Sequence, residues 1–165
     1  EEFEVPSANY MAFNEYILDT LYDELEDKFI DETTDGGKPR NRIIVFDDVA
    51  YSGQLKDKQA GILTKILMNG RHLNLSSIIT SQKFSLIQTG VRSNVSGAIL
   101  FNTNAKELEL IADDFNYYDN KKDFIKLFRE TTKEKNSFMV VNFSNDNLST
   151  FHPFLIVSCI ILMVS

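Results

Sequence analysis

The 165-residue sequence holds one cysteine, Cys159, so it closes no internal disulfide. Only His72 and His152 could join that thiol in a metal cluster, which excludes a structural zinc site of the usual four-ligand kind. A positive surplus is also missing. The formal net charge is −7, which argues against a surface that is basic all over and makes a sequence-specific DNA reader the poorest fit. A local patch, or a ring of copies pooling a few Lys and Arg, stays compatible with that balance. The longest apolar run, FLIVSCIILMV from Phe154 to Val164, has 11 residues. A membrane-spanning helix needs roughly 20, so the run reads as a buried strand or an artefactual end, with a short anchor as the lesser alternative. No secretory signal, internal repeat or low-complexity tract is visible. The chain opens Glu-Glu-Phe-Glu without an initiator Met, as expected of a segment cut from something longer.

What is present suffices for a folded domain. Apolar residues make up 43% of the chain and charged residues 25%, ordinary for a globular protein with a core. Phe13, Tyr16, Ile17, Leu21, Leu25 and Phe29 recur at helical spacing and predict an amphipathic helix over Tyr10–Phe29, packed on a sheet. Asp31–Asn41 is rich in turn residues and reads as a surface loop. Arg42 is followed by IIVF, a short apolar run that predicts a buried strand. A helix over Lys56–Asn69 should stop at Asn69-Gly70. Further strands are predicted at Leu75–Thr80, Gly97–Phe101 and Ser137–Phe143, and helices at Ala105–Phe115 and Lys121–Glu130. Strands alternating with helices predict an α/β fold with a mostly parallel sheet. The expected organisation is a core over residues 1–150 and an apolar tail over 151–165.

In parallel sheets, ligands sit beyond the carboxyl ends of the strands. Asp47-Asp48 and Ser81-Gln82 follow two predicted strands and should share that edge. Of two carboxylates there, one could hold Mg²⁺ through water and the other orient or deprotonate an attacking water. Gln82, with Ser81, could touch a γ-phosphate. Arg71 and Arg92 are candidates for a guanidinium placed on developing phosphoryl charge, often by a neighbouring subunit. Taken singly, the same residues also fit a solvated turn, a polar strand end and two surface arginines. Gly36-Gly37-Lys38 is not a phosphate loop: Pro39 follows it, no strand precedes it, and GxxxxGK[ST] occurs nowhere in the 165 residues. His72 and His152 read as packing or surface residues.

Three blocks, RIIVFDDVA, NGRHLNLSSIITSQ and VRSNVSGAILF, occur in this order. Together they resemble the genome-packaging ATPases of poxviruses, related large DNA viruses and virophages, within the FtsK–HerA superfamily of P-loop motors. The resemblance covers roughly Ile43–Phe143. It implies a partial RecA-like P-loop NTPase core, running from the Walker B strand to the last core strands. It further implies ATP and Mg²⁺, with Asp47 on the metal through water, Asp48 at the catalytic acidic position, Gln82 as sensor, and Arg71 or Arg92 acting in trans. The implied partners are double-stranded DNA, capsid or portal-vertex proteins and further copies in a ring. The implied location is the viral factory in the host cytoplasm, or the virion; a membrane is not expected. Two features depart from the family: no Walker A loop is present, and the end is apolar. The chain is therefore expected to be inactive alone, either part of an active motor or a degenerate homologue serving an ATPase ring. A flavodoxin-like or receiver-type domain is the third reading. It calls for a Lys at the end of a later strand, where Asn142-Phe143 stands instead.

Overall fold

The computed structural model describes residues 10–48, 61–115, 120–143, 148–151 and 160–164. Asn14 opens helix α1 (Glu15–Thr33), its side chain accepting the backbone N–H groups of Tyr16 and Ile17 at 2.9 and 3.3 Å. This cap satisfies two donors that the first helical turn leaves unpaired, so the helix begins later than its periodicity suggests. It also ends later, because the Thr33 and Thr34 hydroxyls donate to the Phe29 and Ile30 carbonyls. The buried stripe is Leu18, Tyr22 and Leu25, while Tyr16 is 80% exposed. Leu25 of the predicted face is thus buried, and Phe13, Leu21 and Phe29 pack half-buried against the core, while Tyr16 and Ile17 do not. The helix packs chiefly on helix α2 (Ile62–Asn69) and on the turn 70–73, rather than directly on the sheet. Lys65 of α2 places its ammonium 4.0 Å from the centre of the Tyr22 ring.

Past α1, the loop through Gly36-Gly37 is tied to the helix by Glu32. Its carboxylate accepts the Arg40 backbone N–H at 2.8 Å and the Arg42 guanidinium at 2.6 Å. The Arg40 N–H, then Arg42, hold the Glu32 carboxyl below its ordinary range against a smaller opposing effect of burial. A lowered carboxyl pKa adds stability above its unfolded-state value and loses it as pH falls through the folded one. Titration by carbonyl NMR should give Glu32 a midpoint below 4.5, its ordinary value. Glu32→Gln should flatten the acid limb of the stability curve there, and an unchanged limb would remove the tether.

The sheet has six strands: β1 (Arg42–Phe46), β2 (Leu75–Ser81), β3 (Gly97–Phe101), β4 (Phe138–Asn142), β5 (Leu148–Phe151) and β6 (Ile160–Val164). Their spatial order is β1-β2-β6-β3-β4-β5. The α/β class is as expected, but the sheet is mixed, with parallel pairing, among the described residues, confined to β1–β2. One cause lies between β3 and β4. Two helices of equal length, α4 (Ala105–Phe115) and α5 (Lys121–Thr131), pack together there. The first carries the chain away from the end of β3 and the second brings it back, so β4 returns antiparallel.

Within the apolar end of the chain, β6 pairs on both sides, with β2 and with β3. It is thus a central strand of the same sheet, and β5 spans the predicted boundary at residue 150. Residues 152–159, with His152 and Cys159, lie outside the described residues. Among those described, no helix is long and apolar enough to cross a membrane.

The core is closed by Phe84, Phe124 and Phe128, with Ile79, Leu100, Ile111 and Met139, all essentially solvent-free. Burying each such side chain stabilises by about 1.5–3 kcal/mol. β1 departs from its expected burial on both faces. It is an edge strand whose Phe46 faces the core while Ile43 and Val45 are 62% and 59% exposed. Helix α2 begins at Ile62, and residues 56–60 of its predicted span lie outside the described residues. At its far end Gly70 keeps right-handed helical angles and leads into a 3₁₀ turn (Gly70–Leu73). The chain reverses only at Asn74, with φ 52°. Gly70 serves close approach instead: a Cβ there would sit 3.2 Å from the Leu75 carbonyl oxygen.

Candidate functional site

β1 and β2 run side by side with Phe46 opposite Ile79. The next residues, Asp47-Asp48 and Thr80-Ser81-Gln82, therefore emerge together at the carboxyl edge. Side chains alternate along a strand, so Thr80 and Ser81 face opposite ways. Ser81 is 1% exposed and exchanges hydrogen bonds with its own turn, donating to the Lys83 carbonyl at 3.0 Å and accepting the Lys83 N–H at 3.3 Å. This places Ser81 on the core side, as a brace of the turn, apart from the acids.

The opposite side of β2 carries the cluster. The Thr80 hydroxyl donates to Asp47 Oδ1 at 2.5 Å and accepts the Asp48 backbone N–H at 3.0 Å. Gln82 Nε2 donates to Asp48 Oδ2 at 3.2 Å. Asp48 has φ 51°, in the left-handed region that Asp enters more readily than most residues. That turn aims its carboxylate sideways to Gln82. Asp47, Asp48 and Gln82 are exposed. Among the described residues no three or more His, Cys, Asp or Glu side chains gather as a metal-binding group. Two carboxylates and a hydroxyl nonetheless suit Mg²⁺, a hard ion that keeps most of its waters.

The two arginines are placed unlike each other, and Arg71 is far from this cluster. Arg71 is exposed in the turn before β2, at the amino edge. Seven residues of β2 separate it from Gln82, a span of roughly 20 Å at about 3.3 Å per residue. It cannot serve the acids of its own chain. Arg92 is inside the fold, at the end of the single helical turn α3 (Thr89–Arg92). Its Nε lies 2.8 Å from Asp114 Oδ2, its Nη2 donates to the Thr89 hydroxyl, and its guanidinium stands 4.8 Å from the centre of the Phe84 ring. The Nε–H does not point along the line to the carboxylate, so the pair is held by charge more than by a directed hydrogen bond. Burial raises the Asp114 carboxyl above its ordinary range, Arg92 pulls it down, and Asp113 adds to the rise. A guanidinium so enclosed does not reach a neighbouring molecule; Arg92 braces the turn that follows Gln82.

Two residues passed over in the sequence help build the site. Thr80 links both acids, and strand alternation was the available signal, since it puts Thr80 and Gln82 on one side. Glu107 is buried on α4 and accepts the Ser85 N–H at 2.8 Å and the Ser85 hydroxyl at 2.6 Å. With Phe84 edge-on to Phe115, it anchors the segment after Gln82. No local pattern announces Glu107, because its partner lies 22 residues away. His72 is exposed beside Arg71. Gly36-Gly37-Lys38 precedes β1 and so lies toward the amino edge, away from the acids. A Cβ on Gly37 would fall 2.1 Å from the Glu32 carbonyl oxygen.

Comparison with known proteins fits this frame. The fold is similar to the genome packaging NTPase B204 of Sulfolobus turreted icosahedral virus 2. Against that protein's structure in complex with AMP the TM-score is 0.63 at 15% identity, covering 88% of this chain and 66% of the other. Against its structure in complex with ATP-gammaS the TM-score is 0.59 at 14% identity, covering 88% and 74%. The chain thus spans about two thirds to three quarters of that NTPase. No curated protein sequence matches it significantly. A family model, that of the poxvirus A32 protein, matches residues 4–150. That match takes in β1 and β2, whose ends carry the cluster, and most of the described chain, and the sequence belongs to the poxvirus A32 protein family.

Proposed function

We propose that this chain is part of an ATP-hydrolysing motor that packages viral double-stranded DNA into capsids. The observation that carries the reading is the contact between Gln82 and Asp48 at the carboxyl edge, with Asp47 joined to them through Thr80. An acid pair and an amide on neighbouring strand tips suit a triphosphate and its attacking water. Asp48 accepts a proton from that water as its oxygen attacks the γ-phosphorus. The bond to the bridging oxygen breaks, and ADP leaves with the electron pair. Asp47 would hold Mg²⁺ through water, and the ion, when bound, would neutralise charge on the phosphates. Gln82 reports the γ-phosphate to the chain. Arg71 of a neighbouring copy supplies the guanidinium, because an exposed arginine at the opposite edge is placed for another molecule's site and not its own.

The reading calls for a phosphate-binding loop outside these 165 residues, since none occurs within them. It also calls for a ring of copies, double-stranded DNA and a capsid or portal-vertex partner, met in the viral factory or the virion. The second reading is a degenerate homologue that joins an ATPase ring without turning over nucleotide. Turnover by the complete viral gene product, with and without double-stranded DNA, separates the two. DNA-stimulated hydrolysis supports the motor, and none at all supports the binding module. Arg71→Ala and Asp48→Asn copies, each inactive alone, should recover turnover when mixed, because one then supplies the acids and the other the arginine. No recovery on mixing would remove the shared arginine.

A further inference from the structure

We propose that Thr80 is a positioning residue that sets both acids at once, fixing Asp47 through its carboxylate and Asp48 through its backbone. The inference rests on the nucleotide-site reading above and adds a residue to it. A hydroxyl has one proton to donate and lone pairs with which to accept. Here the proton goes to Asp47 Oδ1, and a lone pair takes the Asp48 N–H. Both acids are exposed and leave the strand where the ladder with β2 ends. Nothing in regular pairing therefore fixes them, yet they must hold one geometry for a water to be aimed.

The Asp48 backbone shows why a tether is needed. Its φ of 51° lies where non-glycine residues are disfavoured and persist only when held by their surroundings. The bond from its N–H to Thr80 is such a hold. The turn it maintains brings the Asp48 carboxylate to Gln82 Nε2. Loss of the hydroxyl frees the turn, and Asp48 and Gln82 part. The Asp47 carboxylate, no longer donated to, rotates away from the place where it would carry a water-bound cation. One side chain on β2 therefore sets the two roles that β1 supplies.

Two measurements test this, each on Thr80→Val, a near-isostere without the hydroxyl, and on Thr80→Ser, which keeps it. The first is amide hydrogen exchange at Asp48 in this chain, without nucleotide. The Asp48 amide should be protected in wild type and Thr80→Ser and exchange at least about tenfold faster in Thr80→Val, with melting temperatures showing that all three fold. Equal exchange in wild type and Thr80→Val overturns the tether. The second is steady-state ATP hydrolysis by the complete gene product across a Mg²⁺ titration. Thr80→Val should lower kcat by about a hundredfold, as expected for a small misplacement of a reacting group. It should raise the Mg²⁺ needed for half-maximal rate and leave the KM for ATP within about threefold, and Thr80→Ser should restore all three. A Thr80→Val enzyme as fast as wild type overturns the proposal while the site reading stands. A wild type that does not hydrolyse ATP overturns the site reading itself, whatever the exchange data show. If Thr80→Val is too unstable to assay, Thr80→Ala takes its place under the same criteria.

Discussion

Asp48→Asn, in the complete protein, is expected to stop ATP turnover while leaving nucleotide binding within a few-fold of wild type. The amide has nearly the size and shape of the carboxylate. Its oxygen can still accept from Gln82 Nε2, and the backbone N–H that meets Thr80 is untouched. What is lost is the capacity to take a proton from the attacking water. General-base contributions run to about 10²–10⁴-fold, so the residual rate should fall to that extent or below detection. Equilibrium binding of a fluorescent nucleotide beside a phosphate-release assay separates the two effects. Turnover near the wild-type rate would take the catalytic role from Asp48. Loss of binding and turnover together would make it a structural acid.

Arg92→Ala is the change expected to cost the most stability. Arg92 is 9% exposed, and it holds Asp114, the Thr89 hydroxyl and the face of Phe84 together. Removing one partner of a buried pair leaves the other charge without compensation, at about 3–5 kcal/mol. Asp114 keeps 24% of its side-chain surface, so the loss should fall at the lower end, about 3 kcal/mol. Against a typical total of about 5–15 kcal/mol, that is a large share. Urea denaturation measures it directly. A loss under about 0.5 kcal/mol, typical of surface substitutions, would mean that Arg92 is not a brace.

The sign of the pH dependence gives a second check on the same variant. Burial already raises the Asp114 carboxyl, and Arg92 is the influence that lowers it. Without Arg92 the rise grows, so the ionised form becomes the costly one. Protonation removes that cost, and the deficit of Arg92→Ala should shrink as pH falls through the Asp114 pKa. Stability of the variant measured near pH 7 and again in the mildly acid range tests this. A deficit that stays constant would assign the loss to packing on Phe84 alone.

Much of the local structure was legible because period and composition are local properties. Gly97–Phe101 and Ala105–Phe115 form the predicted strand and helix over those same residues. The acid pair and the glutamine met as expected because two adjacent parallel strands deliver their exits to one edge. Strand order and direction were not legible. They depend on how two helices after β3 return the chain, and on a last strand that joins the sheet far from its neighbours in sequence. Exposure of Ile43 and Val45 was hidden for a related reason. A short apolar run looks alike whether a strand is central or at the edge. The two arginines could not be told apart either, since the burial of Arg92 depends on Phe84 and on Asp114, 22 residues further along. Ser81 and Thr80 differ by one position, and one position along a strand reverses the face.

The separation of Arg71 from the acid pair gives the molecule a front and a back. If one copy completes another, unlike rims must meet, as a stud meets a socket. A contact of that kind is heterologous: each copy offers one surface and receives the other, so pairing never exhausts the free ends. Only rotation that closes on itself ends the series; otherwise it runs on as a filament. A polarity set by the length of β2 would thus be inherited by the whole assembly, giving it a direction along which a long polymer could be drawn.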